Sequence, residues 1–287
     1  MIRIAIPNKG RLAEAARELL ERAGLELDIT SERALQAALG GEFLALFVRA
    51  RDIPEFVADG AADLGITGRD LVAESGRDLD VLLDLGFGRC RVVVAAREDG
   101  DIATAADVPA GARVATPFPH LTQTFFRDAG KPITVVPVSG AAEIAPHLGV
   151  ADIIVDLVST GSTLKVNGLR EVATVLESTA LLVTRAELRR APGASRRIDE
   201  LVAALESVLR AQDKRYLMAN VPRAVLAEIK RILPGLRGPT IVDVLDGGSH
   251  VAAHAVVDAR DIYRVIADLK SVGAEGILVT RIERLMP

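Results

Sequence analysis

Residues 143–164, EIAPHLGVADIIVDLVSTGSTL, read as a short helix, a buried strand and a hydroxyl-rich turn with nothing to spare between them. Residues 151–158 are apolar apart from Asp152 and Asp156, as expected of a strand covered on both faces in a parallel sheet. The run stops at Ser159-Thr160-Gly161-Ser162-Thr163, which offers four hydroxyls, a glycine free to take positive φ, and the N–H groups that open a new helix. Such a turn is suited to hold an anion. In an extended strand the two aspartates share a face but stand roughly 13 Å apart, so they do not close on one small ligand. Asp156, next to the turn, is the candidate to hold hydroxyl groups beside the anion, the plain alternative being a turn or cap aspartate. Asp152 belongs at the strand entrance. A sugar bearing phosphate or diphosphate suits this arrangement.

Outward from this stretch the chain alternates strands and helices. Residues 2–6 read as a strand, Pro7-Asn8-Lys9-Gly10 as a turn, and Leu12, Ala16, Leu19, Leu20 and Ala23 as the inward stripe of a helix. Lys9, Gly10 and Arg11 therefore fall at the carboxyl end of a strand, where open α/β sheets hold ligands; ordinary surface cations would look the same. A strand at 44–48 ends at Arg49, followed by Asp52 as an expected N-cap and Pro54 in the first helical turn. Another at 62–67 ends at Gly68-Arg69-Asp70, with Asp70 read as a ligand contact or a cap. Further strands are expected at 80–85, 91–96, 111–116, 133–136, 169–176 and 180–184, and helices near 120–129 and 141–148. Gly86-Phe87-Gly88 marks a crossing between lobes. Two α/β lobes around a cleft result, residues 1–90 with about 178–212 as lobe I and 91–177 as lobe II.

Residues 191–195, APGAS, read as a break before a helix with Ile198, Leu201, Val202, Leu205, Val208 and Leu209 inward. From 213 to 287 the order is strand, helix, strand, an Asp246-Gly247-Gly248 turn, strand, helix, strand. This βαββαβ succession is the ferredoxin-like arrangement, common among small-molecule sensors.

At 287 residues and 49% hydrophobic, the chain is long enough for two or three cores. A net charge of −4 argues against a broad nucleic-acid or anionic-membrane surface, and the lack of tryptophan argues against base-stacking platforms. The opening MIRIAIPNKGRL holds no apolar run of signal-peptide length and no stretch reaches a membrane span, so a cytoplasmic home is expected. One cysteine, Cys90, excludes an internal disulfide and a thiolate-rich metal site; it reads as a small buried residue. No Walker pattern surrounds Gly130-Lys131, and no third glycine completes a dinucleotide fingerprint after Gly86 and Gly88. His250 and His254 lie in a strand-like segment that separates them by about 13 Å, too far to chelate. With His120 and His147 read as surface or satisfied residues, no protein-built metal cage is expected.

Glu143, Gly149, Asp156, Leu157, Ser159, Thr160, Gly161, Thr163 and Leu164 resemble the signature segment of the ATP phosphoribosyltransferase family. The runs RIAIPNKGRL at 3–12 and DLGITG at 63–68 resemble that family too, so the likeness covers the first two thirds of the chain. The last third resembles the regulatory extension of the long form. The resemblance implies an α/β fold with a two-lobed, periplasmic-binding-protein-like catalytic part and a C-terminal ferredoxin-like regulatory domain. It implies that adenine N1 of ATP displaces diphosphate from phosphoribosyl pyrophosphate with inversion, the first step of histidine biosynthesis. On that basis Asp156 holds the ribose hydroxyls, and Ser159, Thr160, Gly161, Ser162 and Thr163 take the 5-phosphate. Lys9, Gly10, Arg11 and Arg49 face the diphosphate or the ATP phosphates, Asp70 the nucleotide, and Glu143 either substrate or its own helix. Mg2+ arrives with the diphosphate. Asn220, Leu236 and Thr240 are implied to receive histidine as inhibitor, and the chain to form a homo-oligomer, dimer or hexamer.

Two rivals stand beside this reading. A two-lobed solute-binding protein has the same outline but would need an export signal. A porphobilinogen-deaminase-like enzyme would need a cysteine in its last domain, and Cys90 lies elsewhere.

Overall fold

In the strand Ile153–Val158 (β10), Ile153, Val155 and Leu157 enter one apolar cluster while Ile154 and Val158 enter another, so both faces are covered. Each fully buried aliphatic side chain of this kind contributes about 1.5–3 kcal/mol. The computed structural model describes every residue except 30, 32, 33, 191, 245–247 and 287. By contact density the described chain divides into Met1–Val202 and Ala203–Pro287.

The first unit holds two sheets. One has seven strands in the order β2 (Leu27–Asp28), β3 (Gln36–Leu39), β4 (Phe43–Val48), β1 (Ile2–Pro7), β5 (Leu64–Gly68), β12 (Ala180–Thr184), β6 (Asp80–Asp84). The other orders β11 (Leu169–Ser178), β7 (Cys90–Arg97), β10, β8 (Ala112–Thr116), β9 (Ile133–Pro137). In each lobe the centre is parallel: β1 with β4 and β5, and β8 with β9 and β10. Antiparallel β7 and β12 then pair against β10 and β5, so β10 lies in a mixed sheet rather than the all-parallel one expected. The chain passes between the sheets at 85–89 and again at Thr179. The two passages are stitched by Ala180 N–H to Phe87 O and by Leu85 N–H to Ala180 O, each 2.9 Å.

Helices α1 (Ala13–Arg22), α2 (Ile53–Ala58), α3 (Arg69–Ser75) and α4 (Pro119–Asp128) follow strand ends as the pattern predicts. Two local expectations are corrected, at 141–148 and at 191–195. The segment 141–148 is only a 3-10 turn, Ala142–Ile144, followed by further turns. Ala141 enters it at φ 51, and Pro146 brings no N–H to continue a helix. Asp52 stands at the N-cap of α2, but its side chain makes no capping bond. The stretch 191–195 is helical from Pro192 onward, since α7 (Pro192–Gln212) follows α6 (Ala186–Arg190) closely and proline is tolerated in a first turn. The edge strands β2 and β3 carried too little periodicity to be read.

The base of lobe I is knitted by Asp63, which accepts from Arg3 N–H at 2.8 Å and is paired with Arg3 at 3.2 Å and Arg185 at 3.3 Å. Burial alone would raise this carboxyl, but the Arg3 hydrogen bonds and charge, aided by Arg185, hold it below the ordinary range. With the folded value depressed, the stabilisation is present above the unfolded aspartate's pKa and is lost as pH falls through the folded one. Asp63→Ala should cost about 3 kcal/mol, because two partly buried guanidinium groups lose their partner. Urea titration at pH 7 measures it, and the deficit should shrink at pH 3.

The second unit is a four-stranded antiparallel sheet ordered β14 (Thr240–Asp243), β15 (His250–Asp258), β13 (Lys214–Pro222), β16 (Glu275–Arg281). Helices α8 (Leu226–Ile232) and α9 (Ile262–Ser271) join these strands in the expected βαββαβ order. Leu217, Ala219 and Val221 alternate into a core with Val251, Ala253, Ile229 and Leu269. Of the turn expected at 246–248, residues 246 and 247 lie outside the described residues. The division between units falls within α7, earlier than the expected boundary at 213.

Candidate active site

Asp156 leaves β10 just before the chain turns, and the turn is shaped by Gly161 at φ 77, a conformation that disfavours any residue with a Cβ. From there Ser162–Val166 (α5) begins, presenting fresh N–H groups. Thr160 Oγ1 and Ser162 Oγ lie 2.9 Å apart and order the bend. Glu143, Asp156, Ser159, Thr160, Gly161 and Thr163 line one small cavity of about 140 Å³. Ser162, expected in the same group, does not line it but meets Thr160, which does.

Asp156 is half buried, and one of its oxygens accepts from Leu157 N–H at 2.6 Å. Burial pushes its carboxyl above the ordinary range; the Leu157 N–H pulls it back, and the charge of Glu143 pushes it up again. A carboxylate so placed is poorly hydrated and seeks hydroxyl donors. Asp152 stands at the strand entrance, paired with Arg113 at 2.9 Å.

Lobe I brings basic residues to the facing edge. Lys9 and Arg49 are exposed at the carboxyl ends of β1 and β4, and no described residue pairs with them. Gly10 turns the chain at φ 87, and Arg11 reaches Asp70 at 3.0 Å and the carbonyl of Gly88. Asp70 is only 1% exposed, and Ser178 Oγ both accepts from its N–H at 3.0 Å and donates to its carboxylate at 2.5 Å. Asp70, read from the sequence as a nucleotide contact or a cap, here holds the guanidinium of Arg11. The two lobe edges face one another, since Arg51 beyond β4 donates to Pro117 O beyond β8 at 3.2 Å.

Sequence reasoning missed a second basic group. Arg69, Arg89 and Arg91, with Asp84, Glu177 and Thr179, surround a cavity of about 410 Å³ that also touches Ser159. Arg69 is paired with Asp84 at 3.4 Å and Arg91 with Glu171 at 2.6 Å. The signal was present as GRCRV directly after the expected crossing at 86–88. Cys90 lies 5% exposed at the start of β7, and burial, with the charge of Asp70, raises its thiol above the ordinary value.

In the second unit, Leu236 borders a cavity of about 760 Å³ with Lys214, Asp258, Leu285 and Met286. Thr240 pairs with His254, and Asn220 with Ala252, two strands away from β14. Neither of these two lines that cavity.

Among the described residues no group of three or more His, Cys, Asp or Glu could hold a metal ion, and no helix is long and apolar enough to cross a membrane.

A family model described as ATP phosphoribosyltransferase matches residues 49–207, and one described as HisG, C-terminal domain, matches residues 211–284. The ATP phosphoribosyltransferase of Gemmatimonas aurantiaca is 63% identical over 292 residues, covering 100% of both chains. That of Halorubrum lacusprofundi is 48% identical across 99% of this chain and 100% of its own. The solved ATP phosphoribosyl transferase (HisG:HisZ) complex from Thermotoga maritima aligns with a TM-score of 0.64 at 28% identity, over 73% of this chain and 99% of that one. Catalytic and C-terminal matches occur in one chain and in order, and with whole-length relatives at this identity the chain belongs to the ATP phosphoribosyltransferase family, in its long form.

Proposed function

We propose that this chain is a transferase that condenses ATP with 5-phosphoribosyl 1-pyrophosphate to give N1-(5-phosphoribosyl)-ATP and pyrophosphate. The observation that carries the reading is the 140 Å³ cavity uniting Asp156 and Glu143 with Ser159, Thr160, Gly161 and Thr163. Its hydroxyls and N–H groups suit a 5-phosphate, and its two carboxylates suit ribose hydroxyls. A ribosyl carbon bearing diphosphate needs alignment and charge stabilisation more than a covalent nucleophile. Asp156 fixes the ribose and offers negative charge as oxocarbenium character develops. Arg11, Lys9 and Arg49 receive the charge that leaves, and Asp70 keeps Arg11 in place. Adenine N1 then attacks the anomeric carbon from the opposite face.

Asp156 and Glu143 would hold the water around a Mg2+ ion carried in on the diphosphate, and that ion would neutralise part of the diphosphate charge. The donor set fits this: two carboxylates at the cavity, too few for a cage but enough to hold water around a substrate-bound ion. The ferredoxin-like unit is read as the receiver of histidine as feedback inhibitor, and the chain as a homo-oligomer, dimer or hexamer. Leu236→Asp and Thr240→Arg, assayed separately, locate the effector: the variant that removes inhibition while keeping turnover marks its pocket.

Formation of phosphoribosyl-ATP by the purified chain, followed by its absorbance, tests the reading. Binding of both substrates without turnover would instead favour a passive two-lobed binder.

A further inference from the structure

Helix α4 lacks a cap of its own. Phe118 stands at its N-cap without a side-chain capping bond, and Pro119 brings no N–H, so the N–H groups of His120 and Leu121 need partners from elsewhere. One carboxylate of the facing lobe takes both. Glu74, in the last turn of α3, accepts from His120 N–H at 3.1 Å and from Leu121 N–H at 3.0 Å. Negative charge at a helix N-terminus is favoured by the hydrogen bonds and by the macrodipole.

The rest of α3 makes the same crossing. Leu71 packs against the lobe II cluster around Phe118 and Phe126. Gly76 ends α3 at φ +64, so near lobe II that an added Cβ would meet the His120 ring at 3.3 Å. At its other end, α3 carries Asp70, the buried partner of Arg11. About two turns of helix therefore connect the seat of α4 with a cation of the candidate active site.

We propose that Glu74 is a positioning residue for the transfer reaction: by capping α4 from the opposite lobe it clasps the lobes together and sets Arg11 against the phosphate loop. The proposal rests on the functional reading above. The phosphoribosyl group is held within lobe II by Asp156 and the loop, so its binding does not need the clasp. The departing diphosphate, met by lobe I, does.

Glu74→Ala should therefore lower kcat tenfold to a hundredfold, the loss expected from about 1 Å of misplacement, while KM for phosphoribosyl pyrophosphate stays within about twofold. Glu74→Gln keeps a carbonyl acceptor for one N–H and should restore part of kcat, which also serves if the alanine variant folds poorly. Small-angle scattering of the substrate-free chain should show a larger radius of gyration for Glu74→Ala. Wild-type kcat and an unchanged radius would overturn the clasp, even with a lowered Tm. A wild-type chain that makes no phosphoribosyl-ATP would overturn the functional reading instead, and scattering alone would then decide the clasp.

Discussion

Asp156→Asn should lower kcat for phosphoribosyl transfer about 10²- to 10³-fold, the range seen when one aligned electrostatic contact to a developing charge is removed, without harming the fold. Two physical effects separate here. The amide retains the shape, and its oxygen can still accept from Leu157 N–H as the carboxylate does at 2.6 Å. It loses the charge proposed to hold ribose hydroxyls and to face the oxocarbenium carbon. For stability the sign is opposite. Burial and the neighbouring Glu143 raise the folded carboxyl's pKa, so the unfolded chain gives up this proton more easily than the folded one. That contribution weakens stability as pH rises from the unfolded value through the folded one, and the full penalty is present above it. Asparagine carries no such penalty. At pH 7 the variant's Tm should equal or exceed that of the wild type while turnover collapses. A variant with near-normal kcat would remove Asp156 from the mechanism; one with a sharply lowered Tm would make it a structural residue.

Arg11→Ala should lose activity and stability together. Its guanidinium bonds Asp70, and Asp70 is 1% exposed, so truncation leaves a buried carboxylate with Ser178 as its remaining side-chain partner. Breaking such a pair costs about 3 kcal/mol, and kcat/KM should fall about 10²-fold. Combining the change with Asp70→Asn removes the stranded charge. The double variant should recover much of the stability but none of the activity, a non-additivity expected of directly coupled groups. Arg11→Lys keeps the charge but not the planar fork that spans Asp70 and the Gly88 carbonyl, and should fall between. Recovery of activity in the double variant would mean that Arg11 serves the fold alone.

The part of this site that was legible in the sequence is the part made by neighbours along the chain. A strand apolar on both faces, an aspartate at its end and a glycine at positive φ leave a local imprint, which is why residues 151–163 could be read in full apart from the sheet's mixed direction. Misreadings have local causes too. Residues 141–148 look helical by composition until Pro146 is weighed, and Leu27–Asp28 is too short to show alternation. What stayed hidden depends on distant pairing. Asp70 meets Ser178 across 108 positions, and Glu74 caps a helix 46 positions away. No periodicity marks either pairing: Asp70 reads only as a ligand contact or a cap, and Glu74 carries no local signal until the lobes are assembled. Arg69, Arg89 and Arg91 converge for the same reason, from α3 and the passage into β7.

The most direct measurement is the position of phosphoribosyl pyrophosphate in crystals of the chain. Its 5-phosphate is predicted to sit within about 3 Å of the N–H groups at 161–163, with the ribose hydroxyls on Asp156. A phosphate bound elsewhere, with the bend at Gly161 left empty, would contradict the account.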